Sequence, residues 1–208
     1  MTSCALVGAS EFNADQFRVM DEAGLFDTVI AVDGGFAHLE GIGRQPDMAI
    51  GDFDSLGYIP TGLRVLRFSA HKDKSDMELA LERARSSHVD AVFVFGGLGG
   101  RLDHTLANLQ LFARFNEEGT SITAIDAASA IFFLTGPDIF EAEAREAGTV
   151  SVFSMNDEVE GLFERGLEWE LDDVRLTNRT SLGLSNELKG EAVMIGVEKG
   201  TIAIFFPL

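Results

Sequence analysis

The chain has 208 residues, of which 46% are hydrophobic and 24% are charged, the balance of a globular protein with a real core. Its net charge of −18 argues against general nucleic-acid binding, which needs a basic surface. The start, MTSCALVGAS, lacks the features of a signal peptide, and no stretch is long and apolar enough to span a bilayer. The single cysteine, Cys4, forms no intrachain disulfide, so we expect a cytoplasmic protein.

Residues 1 to about 130 alternate between short apolar runs and helical patterns. The predicted strands are residues 4–7, 28–32, 48–50, 64–68, 91–95 and 121–125. Helical spacing of apolar residues is found at Met77, Ala80, Leu81 and Ala84, and again at Leu102, Leu106, Leu109 and Ala113. Alternating strands and helices predict a mostly parallel sheet with helices on both faces.

The second part of the chain has no sustained helical period. Short β-rich runs are separated by turn signals such as Lys199-Gly200. The runs lie at residues 149–154, 161–171, 173–177, 192–197 and 201–206. We therefore predict an α/β domain at 1–135, a linker at 136–147 and a small antiparallel β-sandwich at 148–208.

Two acidic segments follow predicted strands of the first domain. In GDFDS, at 51–55, Asp52 and Asp54 are two residues apart, so in an extended segment they would face one ion. Carboxylate oxygens beside a glycine suit Mg²⁺ held jointly with phosphates. Asp33, followed by Gly34, lies at the end of another strand, where it would cap the next helix or join the metal site. Ligands bind at this edge of a parallel sheet.

The segment KDKSD, at 72–76, precedes a predicted helix. Ser75 or Asp76 is a suitable N-cap, and capping alone would explain the pattern. Lys72 and Lys74 add local positive charge beside the carboxylates. A nucleotide site in so acidic a protein needs such charge, and a helix N-terminus favours phosphate.

A glycine-rich segment, GGLGGRLDH at 96–104, follows a strand and leads into a helix, but it is neither a P-loop nor GxGxxG. On that helix Arg101, His104 and Asn108 lie opposite the leucines, which favours a site face over a solvated one. His104 would bind phosphate or order the loop. In the β domain, the only tryptophan, Trp169, and the pair Ser185-Asn186 are explained on physical grounds alone as core and turn.

These segments together resemble one known family. DGG at 33–35, GDFDS, KDKSD and GGLGGRLDHTLANL at 96–109, in this order, are similar to the catalytic part of the thiamine pyrophosphokinases. GLEWEL at 166–171 and SLGLSNE at 181–187 are similar to the thiamine-binding part of that family. The resemblance implies a Rossmann-like three-layer catalytic domain, a β-sandwich and a homodimer with active sites between subunits. It also implies Mg²⁺-dependent transfer of pyrophosphate from ATP to the hydroxyl of thiamine, by in-line attack on the β-phosphorus, with release of AMP.

The resemblance also implies roles for individual residues. Asp52, Asp54 and Asp76 would hold Mg²⁺, and Arg101 and Asp103 would complete the catalytic set. Trp169, Ser185 and Asn186 would bind thiamine. The residues expected around ATP are Asp33, Gly34, Lys72, Lys74, Gly99, Gly100, His104 and Asn108.

Two alternatives remain from the sequence. A related pyrophosphokinase acting on another hydroxymethyl heterocycle, such as a pterin, would have a similar catalytic half, so only the β domain favours thiamine. A non-catalytic sensor of a metal–nucleotide or of thiamine diphosphate would need fewer carboxylates. Release of AMP distinguishes either enzyme from the sensor.

Overall fold

The computed structural model of the chain describes residues 1–69 and 73–208, which form two compact units. Unit 1 comprises residues 1–111 and 119–127, and unit 2 comprises residues 112–118 and 128–208. In chain order, the elements from the start to residue 125 are β1 Ser3–Val7, α1 Ala14–Glu22, β2 Thr28–Val32, α2 Gly35–Gly41, β3 Met48–Gly51, β4 Arg64–Arg67, α3 Asp76–Ser86, β5 Ala91–Phe95, α4 Leu102–Glu117 and β6 Ser121–Ile125.

The strands of unit 1 form a wholly parallel array in the order β6-β5-β1-β2-β3-β4. From β1 the chain adds β2, β3 and β4 on one side, then returns to place β5 on the other side of β1. The gap between β1 and β5 is therefore the topological switch point, at whose carboxyl edge open α/β sheets bind their ligands. The predicted α/β class and its strands are confirmed, with ends that shift by one residue at most.

Helices cover both faces of this array. One face forms an apolar cluster with α1 and α2, in which Phe17 and Leu39 pack against alternate strand residues such as Val7 and Ala31. α3 packs on β1, β2 and β3 and buries its predicted stripe, including Leu81. Strand residues that alternate with the first set, such as Leu6, are also fully buried, so both faces are covered.

Cys4 is buried as expected, whereas the first turns of α4 are more exposed than predicted. Cys4 is a free, buried thiol whose pKa burial raises to about 12, as expected for a small apolar side chain. The prediction of a buried apolar stripe on α4 is wrong for its first turns, because Leu102 and Leu106 are 81% and 58% exposed. The buried residues of α4 lie in its last turns, at Phe112, Ala113 and Phe115.

Unit 2 contains two antiparallel sheets, β12-β9-β14-β7 and β11-β10-β13-β8. Residues from both sheets share one apolar core, including Val152, Leu162, Ile195 and Ile204. This is the predicted sandwich. Its strands are β7 Ser129–Thr135, β8 Asp138–Ala142, β9 Thr149–Ser154, β10 Glu158–Arg165, β11 Leu171–Thr177, β12 Asn186–Glu187, β13 Val193–Val197 and β14 Thr201–Pro207.

The predicted linker at 136–147 needs correction. Residues 138–142 form β8, which pairs along its full length with β13, and residues 129–135 form β7, which pairs with β14. Both strands belong to unit 2, so Gly136-Pro137 joins its two sheets instead of leaving the first domain. The acidic composition concealed β8, because alternate residues of this edge strand are exposed.

Candidate active site

Two glycine turns meet at the switch point of unit 1. The chain leaves β1 through Gly8 and leaves β5 through Gly96, whose φ is 61°. A Cβ atom at Gly96 would lie 2.2 Å from the carbonyl oxygen of Gly8, so both positions require glycine. The backbone N–H of Ser10 donates to the carbonyl oxygen of Gly96 at 2.9 Å and fixes the two turns together.

These turns form part of the wall of a cavity of about 460 Å³. Five of the predicted site residues also line it: Asp33, Lys74, Asp76, His104 and Asn108. Residues 8–10 also line the cavity but were not among the predicted site residues, although Gly8-Ala9-Ser10 directly follows the first strand. A small-residue turn after a buried parallel strand was the available signal.

Three carboxylates converge beside this cavity. Asp33, Asp52 and Asp76 each offer an oxygen, and the three oxygens lie within 4.8 Å of one another. All three residues are partly buried. Hard oxygen ligands at this spacing fit Mg²⁺, which binds through a few carboxylates together with phosphates.

Asp33 has a second structural role, because it joins two loops. It adopts a left-handed φ of 48° after β2. Its carboxylate accepts hydrogen bonds from the Phe53 N–H at 3.0 Å and the Ser55 hydroxyl at 2.8 Å. Helix capping was one of the two roles predicted for Asp33, but no side chain caps the start of α2 with a hydrogen bond. Asp33 instead orders the GDFDS segment.

Asp52 and Asp54 are arranged differently from the extended segment that we expected. β3 ends at Gly51, and Phe53 has a φ of 64° with its ring buried in the apolar cluster. The Asp54 N–H donates to Asp52 Oδ1 at 3.2 Å, and both residues line a second cavity with Arg67. The predicted extended conformation of this segment is therefore wrong, because the burial of Phe53 turns the chain after the strand.

The KDKSD segment places one carboxylate at a helix start. Ser75 is the N-cap of α3 and its hydroxyl accepts from the Glu78 N–H at 3.2 Å, so Asp76 is the first helical residue. The ammonium group of Lys74 forms an ion pair with Glu82. The predicted residue Lys72 lies outside the residues that the structure describes.

The glycine-rich loop before α4 is fixed by two side chains of that helix. Asn108 Nδ2 donates to the carbonyl oxygen of Gly97 at 2.6 Å. The Thr105 hydroxyl accepts from the Gly99 N–H at 3.1 Å. Thr105 was missed by the sequence analysis. Gly99 and Gly100 both have positive φ, as a turn of this kind requires.

Arg101 and Asp103 pair with each other at the start of α4. The guanidinium Nη2 lies 2.6 Å from Asp103 Oδ2, and both side chains are mostly exposed. Hydrogen bonding by Arg101 lowers the pKa of Asp103 to about 2. Asp103 is therefore an anion at all physiological pH values, and Arg101 is available at the surface beside the glycine loop.

A separate constellation lies in unit 2 around Trp169. Trp169 is 57% exposed, so the expectation of a core tryptophan is wrong. The backbone N–H of Trp169 donates to Asn186 Oδ1 at 3.1 Å, and Asn186 Nδ2 donates to the Trp169 carbonyl oxygen at 2.7 Å. Ser185 has a φ of 60°, and its backbone N–H donates a hydrogen bond to the Ser151 hydroxyl oxygen at 3.0 Å. The structure thus brings the three predicted thiamine residues together.

Beneath this constellation lies Glu164, a fully buried acid that the sequence analysis missed. Its Oε2 accepts from Asn186 Nδ2 at 2.8 Å, and burial raises the pKa of its carboxyl group. Glu164 is two residues after Leu162, which faces the core. The period of two in β10 was the signal that this acid points inward.

Comparison with known proteins connects both units to one family. The family model described as thiamin pyrophosphokinase, catalytic domain, matches residues 23–124, and that of the vitamin B1 binding domain matches residues 138–202. Thiamine pyrophosphokinase of Bacillus subtilis is 31% identical over 166 residues, which cover 76% of this chain and 77% of that protein.

Solved structures show the same fold. A crystal structure of thiamine pyrophosphokinase from Bacillus subtilis has a TM-score of 0.83 at 26% identity, covering 100% of this chain and 99% of the other. Thiamin pyrophosphokinase from Candida albicans, at 16% identity, has a TM-score of 0.79 and covers 99% of this chain and 90% of its own. From the two domain matches and the Bacillus relative, the chain belongs to the thiamine pyrophosphokinase family.

Proposed function

We propose that this protein transfers the pyrophosphate group of ATP to the hydroxyl of thiamine, giving thiamine diphosphate and AMP. A bond forms between the hydroxyl oxygen and the β-phosphorus, and the bond from that phosphorus to the oxygen bridging it to the α-phosphorus breaks. AMP leaves with the electron pair, and the hydroxyl proton is released. The observation that carries the proposal is the match of both domains to the two models of one family.

ATP is proposed to bind at the carboxyl edge of the parallel array. The cavity there is lined by Asp33, Lys74, His104 and Asn108 and by the glycine turns after β1 and β5. Backbone N–H groups at such turns and at the start of α3 favour phosphate. Gly34, Gly99, Gly100 and Lys72 complete the proposed nucleotide set.

Mg²⁺ is proposed to be held by Asp52, Asp54 and Asp76, with Asp33 as a further ligand. The convergence of Asp33, Asp52 and Asp76 supports such a site, because these oxygens fit a hard cation. The bound ion would neutralise negative charge on the phosphates. Arg101 is proposed to add positive charge near the phosphates, and its pairing with Asp103 supports a role for that acid in orienting it.

Thiamine is proposed to bind at Trp169, Ser185 and Asn186. An exposed indole with a braced backbone suits stacking on a flat cationic heterocycle, which also gains cation–π attraction. The net charge of −18 favours the approach of a cation. This site chemistry supports thiamine over a pterin, which carries no such fixed positive charge.

Two features of the working protein remain proposals from the resemblance. We expect a homodimer in which each active site takes residues from both subunits. Exposed apolar side chains on each unit, including Leu102, Leu106 and Leu184, support an interface because such groups are costly in water. We expect the protein in the cytoplasm, where ATP is available and the single thiol stays reduced.

The test is AMP formation from ATP and Mg²⁺ with and without thiamine, together with mass spectrometry of the product. We expect thiamine-dependent AMP and an equal amount of thiamine diphosphate. AMP with a pterin alcohol but none with thiamine would indicate the related pyrophosphokinase. Nucleotide binding without AMP from either acceptor would indicate a sensor.

A further inference from the structure

Glu164 occupies an unusual place for an acid. It lies in β10, where its register partners are Leu171 of β11 and Ile195 of β13, and its side chain is fully buried inside unit 2. Among the described residues, its Oε1 has no hydrogen-bond partner. Burial of an incompletely bonded acid is unfavourable, so this side chain does not improve the stability of the core.

Within the described part of the chain, the one hydrogen bond of the Glu164 side chain connects the two sheets of the sandwich. Its Oε2 accepts from Nδ2 of Asn186, which belongs to β12 in the opposite sheet. The second N–H of that amide donates to the carbonyl oxygen of Trp169. Asn186 Oδ1 accepts from the N–H groups of Trp169 and Glu187 at 3.1 and 2.9 Å. The amide has therefore used its two donors and both of its acceptor positions.

This arrangement gives the acid a specific structural effect. The amide of an asparagine can turn by 180° and exchange its oxygen and nitrogen, which are similar in shape. Oε2 of Glu164 accepts from this amide, so it favours the orientation with Nδ2 toward Glu164. Only in that orientation does Asn186 Oδ1 meet the Trp169 N–H while Nδ2 meets the Trp169 carbonyl oxygen.

We propose that Glu164 is a positioning residue that fixes the orientation of the Asn186 amide and thereby holds the Trp169 backbone in place for binding thiamine. The assignment of thiamine to Trp169 rests on the function proposed above. Because its four hydrogen-bonding positions are used within the protein, Asn186 acts here as a brace. The indole of Trp169 is the surface that contacts the ligand.

The test compares Glu164→Leu with Glu164→Gln. Leucine is apolar and of similar volume, so it preserves packing but removes the acceptor, and such replacements of buried charged groups are commonly tolerated. Glutamine keeps an acceptor oxygen for Asn186 and removes the charge. Glu160→Gln is the matched control, because Glu160 lies on the same strand but is exposed and pairs with Lys199.

Binding is measured by titrating thiamine against the fluorescence of Trp169, the only tryptophan of the chain. We expect Glu164→Leu to weaken thiamine binding and to raise the KM for thiamine by about tenfold, the effect of one lost buried hydrogen bond. The KM for ATP and kcat stay close to those of the parent protein. Glu164→Gln and Glu160→Gln stay within about threefold in all constants.

A second readout needs no ligand. Hydrogen exchange of the Trp169 backbone N–H should become faster in Glu164→Leu and stay unchanged in Glu164→Gln. Only the leucine variant loses the acceptor that orients the Asn186 amide. Unchanged exchange and affinity in Glu164→Leu would overturn the proposal. Equal losses in both Glu164 variants would also overturn it, since they would make charge, and not orientation, the important property.

The two readouts separate this inference from the proposed function. If the parent protein neither binds thiamine nor forms AMP, the function is wrong and the ligand part of the inference falls with it. Faster exchange confined to Glu164→Leu would still establish the brace. If the parent protein is active and Glu164→Leu matches it in both readouts, only the inference fails.

Discussion

Carboxylates at single positions organise the edge of the parallel array in unit 1. Asp33 bonds to Phe53 and Ser55, and it also contributes an oxygen to the group formed with Asp52 and Asp76. Asp52 belongs to that group and lines the cavity that it shares with Asp54. Asp33 and Asp52 therefore accept hydrogen bonds from the 51–55 segment and are also proposed to hold the ion. A change at either residue is expected to affect both the conformation of this segment and metal binding.

Among substitutions of these acids, Asp52→Asn is expected to be the most damaging. Asp52 both belongs to the carboxylate cluster with Asp33 and Asp76 and lines the cavity that it shares with Asp54. We expect the Mg²⁺ concentration for half-maximal AMP formation to rise by at least about tenfold, as for loss of a metal-binding carboxylate. The measurement is a Mg²⁺ titration at saturating ATP and thiamine. Asp15→Asn, at an acid that is 96% exposed on α1, is the control.

The same titration ranks two of the remaining three acids, Asp33 and Asp54. Asp33→Asn and Asp54→Asn are compared under identical conditions, and the larger shift in Mg²⁺ requirement identifies the ligand that completes the site. An unchanged requirement in Asp52→Asn would contradict a metal site at this edge. An unchanged requirement in Asp54→Asn alone would remove that residue from the proposed ligand set.

At the level of elements, the turns after β1 and β5 make possible the cavity in which ATP is proposed to bind. Gly8 and Gly96 approach each other so closely that neither has space for a side chain. Asn108 and Thr105 then attach the start of α4 to the glycine loop. A strand end, a turn and a helix start thus form one hydrogen-bonded wall, which suits the proposed positioning of a triphosphate.

Gly96→Ala tests this wall against a matched glycine. Both Gly96 and Gly24 have positive φ, at 61° and 72°, but a Cβ at Gly24 has no neighbour within 4 Å. We expect Gly24→Ala to lower the free energy of unfolding by about 1 kcal/mol, the cost of the left-handed backbone alone. Gly96→Ala should cost at least about 3 kcal/mol, because the methyl group meets the backbone of Gly8.

Denaturant unfolding of the two variants gives both values, and the KM for ATP gives a second comparison. We expect Gly96→Ala to raise the KM for ATP and Gly24→Ala to leave it unchanged. Equal stability losses would show that the turn at Gly96 adapts to a side chain. In that case the close approach of the two turns would not be a requirement of the fold.

For the whole molecule, charge and domain composition act together. The net charge of −18 favours a cationic substrate, while Lys72, Lys74 and Arg101 are proposed to favour the anionic one. No helix within the described ranges is both long and apolar enough to cross a membrane. The carboxylates proposed to bind Mg²⁺ lie in unit 1 and Trp169 lies in unit 2, so the proposed shared active site can be tested by mixing subunits.

Mixing two impaired variants is expected to restore activity when the assay uses Mg²⁺ and thiamine concentrations at which each variant alone is nearly inactive. Asp52→Asn and Trp169→Ala each damage every site of their own dimers. After random exchange of subunits about half of the dimers are mixed, and one of the two sites in each is intact, giving about a quarter of full activity. AMP formation before and after unfolding and refolding of the mixture is the measurement.

The control is the same treatment of each variant alone, together with light scattering to determine the mass in solution. A monomeric mass would contradict the proposed homodimer. A dimer without any recovery would place Asp52 and Trp169 of the same subunit in one site. Recovery near a quarter would support sites shared between subunits.

The strands of the parallel array and most strands of the sandwich followed from the sequence. Buried parallel strands are continuous apolar runs, and this local pattern holds wherever the strand lies. The prediction of a linker was wrong because β8 is a short edge strand in which Asp138, Ile139 and Glu141 are exposed. The exposure of Leu102 and Leu106 also lay beyond the sequence, since helical spacing does not show how much of a face its neighbours cover.

By itself, the sequence determined the α/β class, the acidic and glycine segments, the resemblance to one family, and which residue types are available for ATP, Mg²⁺ and thiamine. Only the tertiary structure decided that Asp33 joins Asp52 and Asp76, that Phe53 turns the chain away from the extended path, and that Glu164 reaches Asn186 across the sandwich. Local patterns are set by neighbours along the chain. Contacts between distant residues depend on how buried side chains fill the core, which no short segment records.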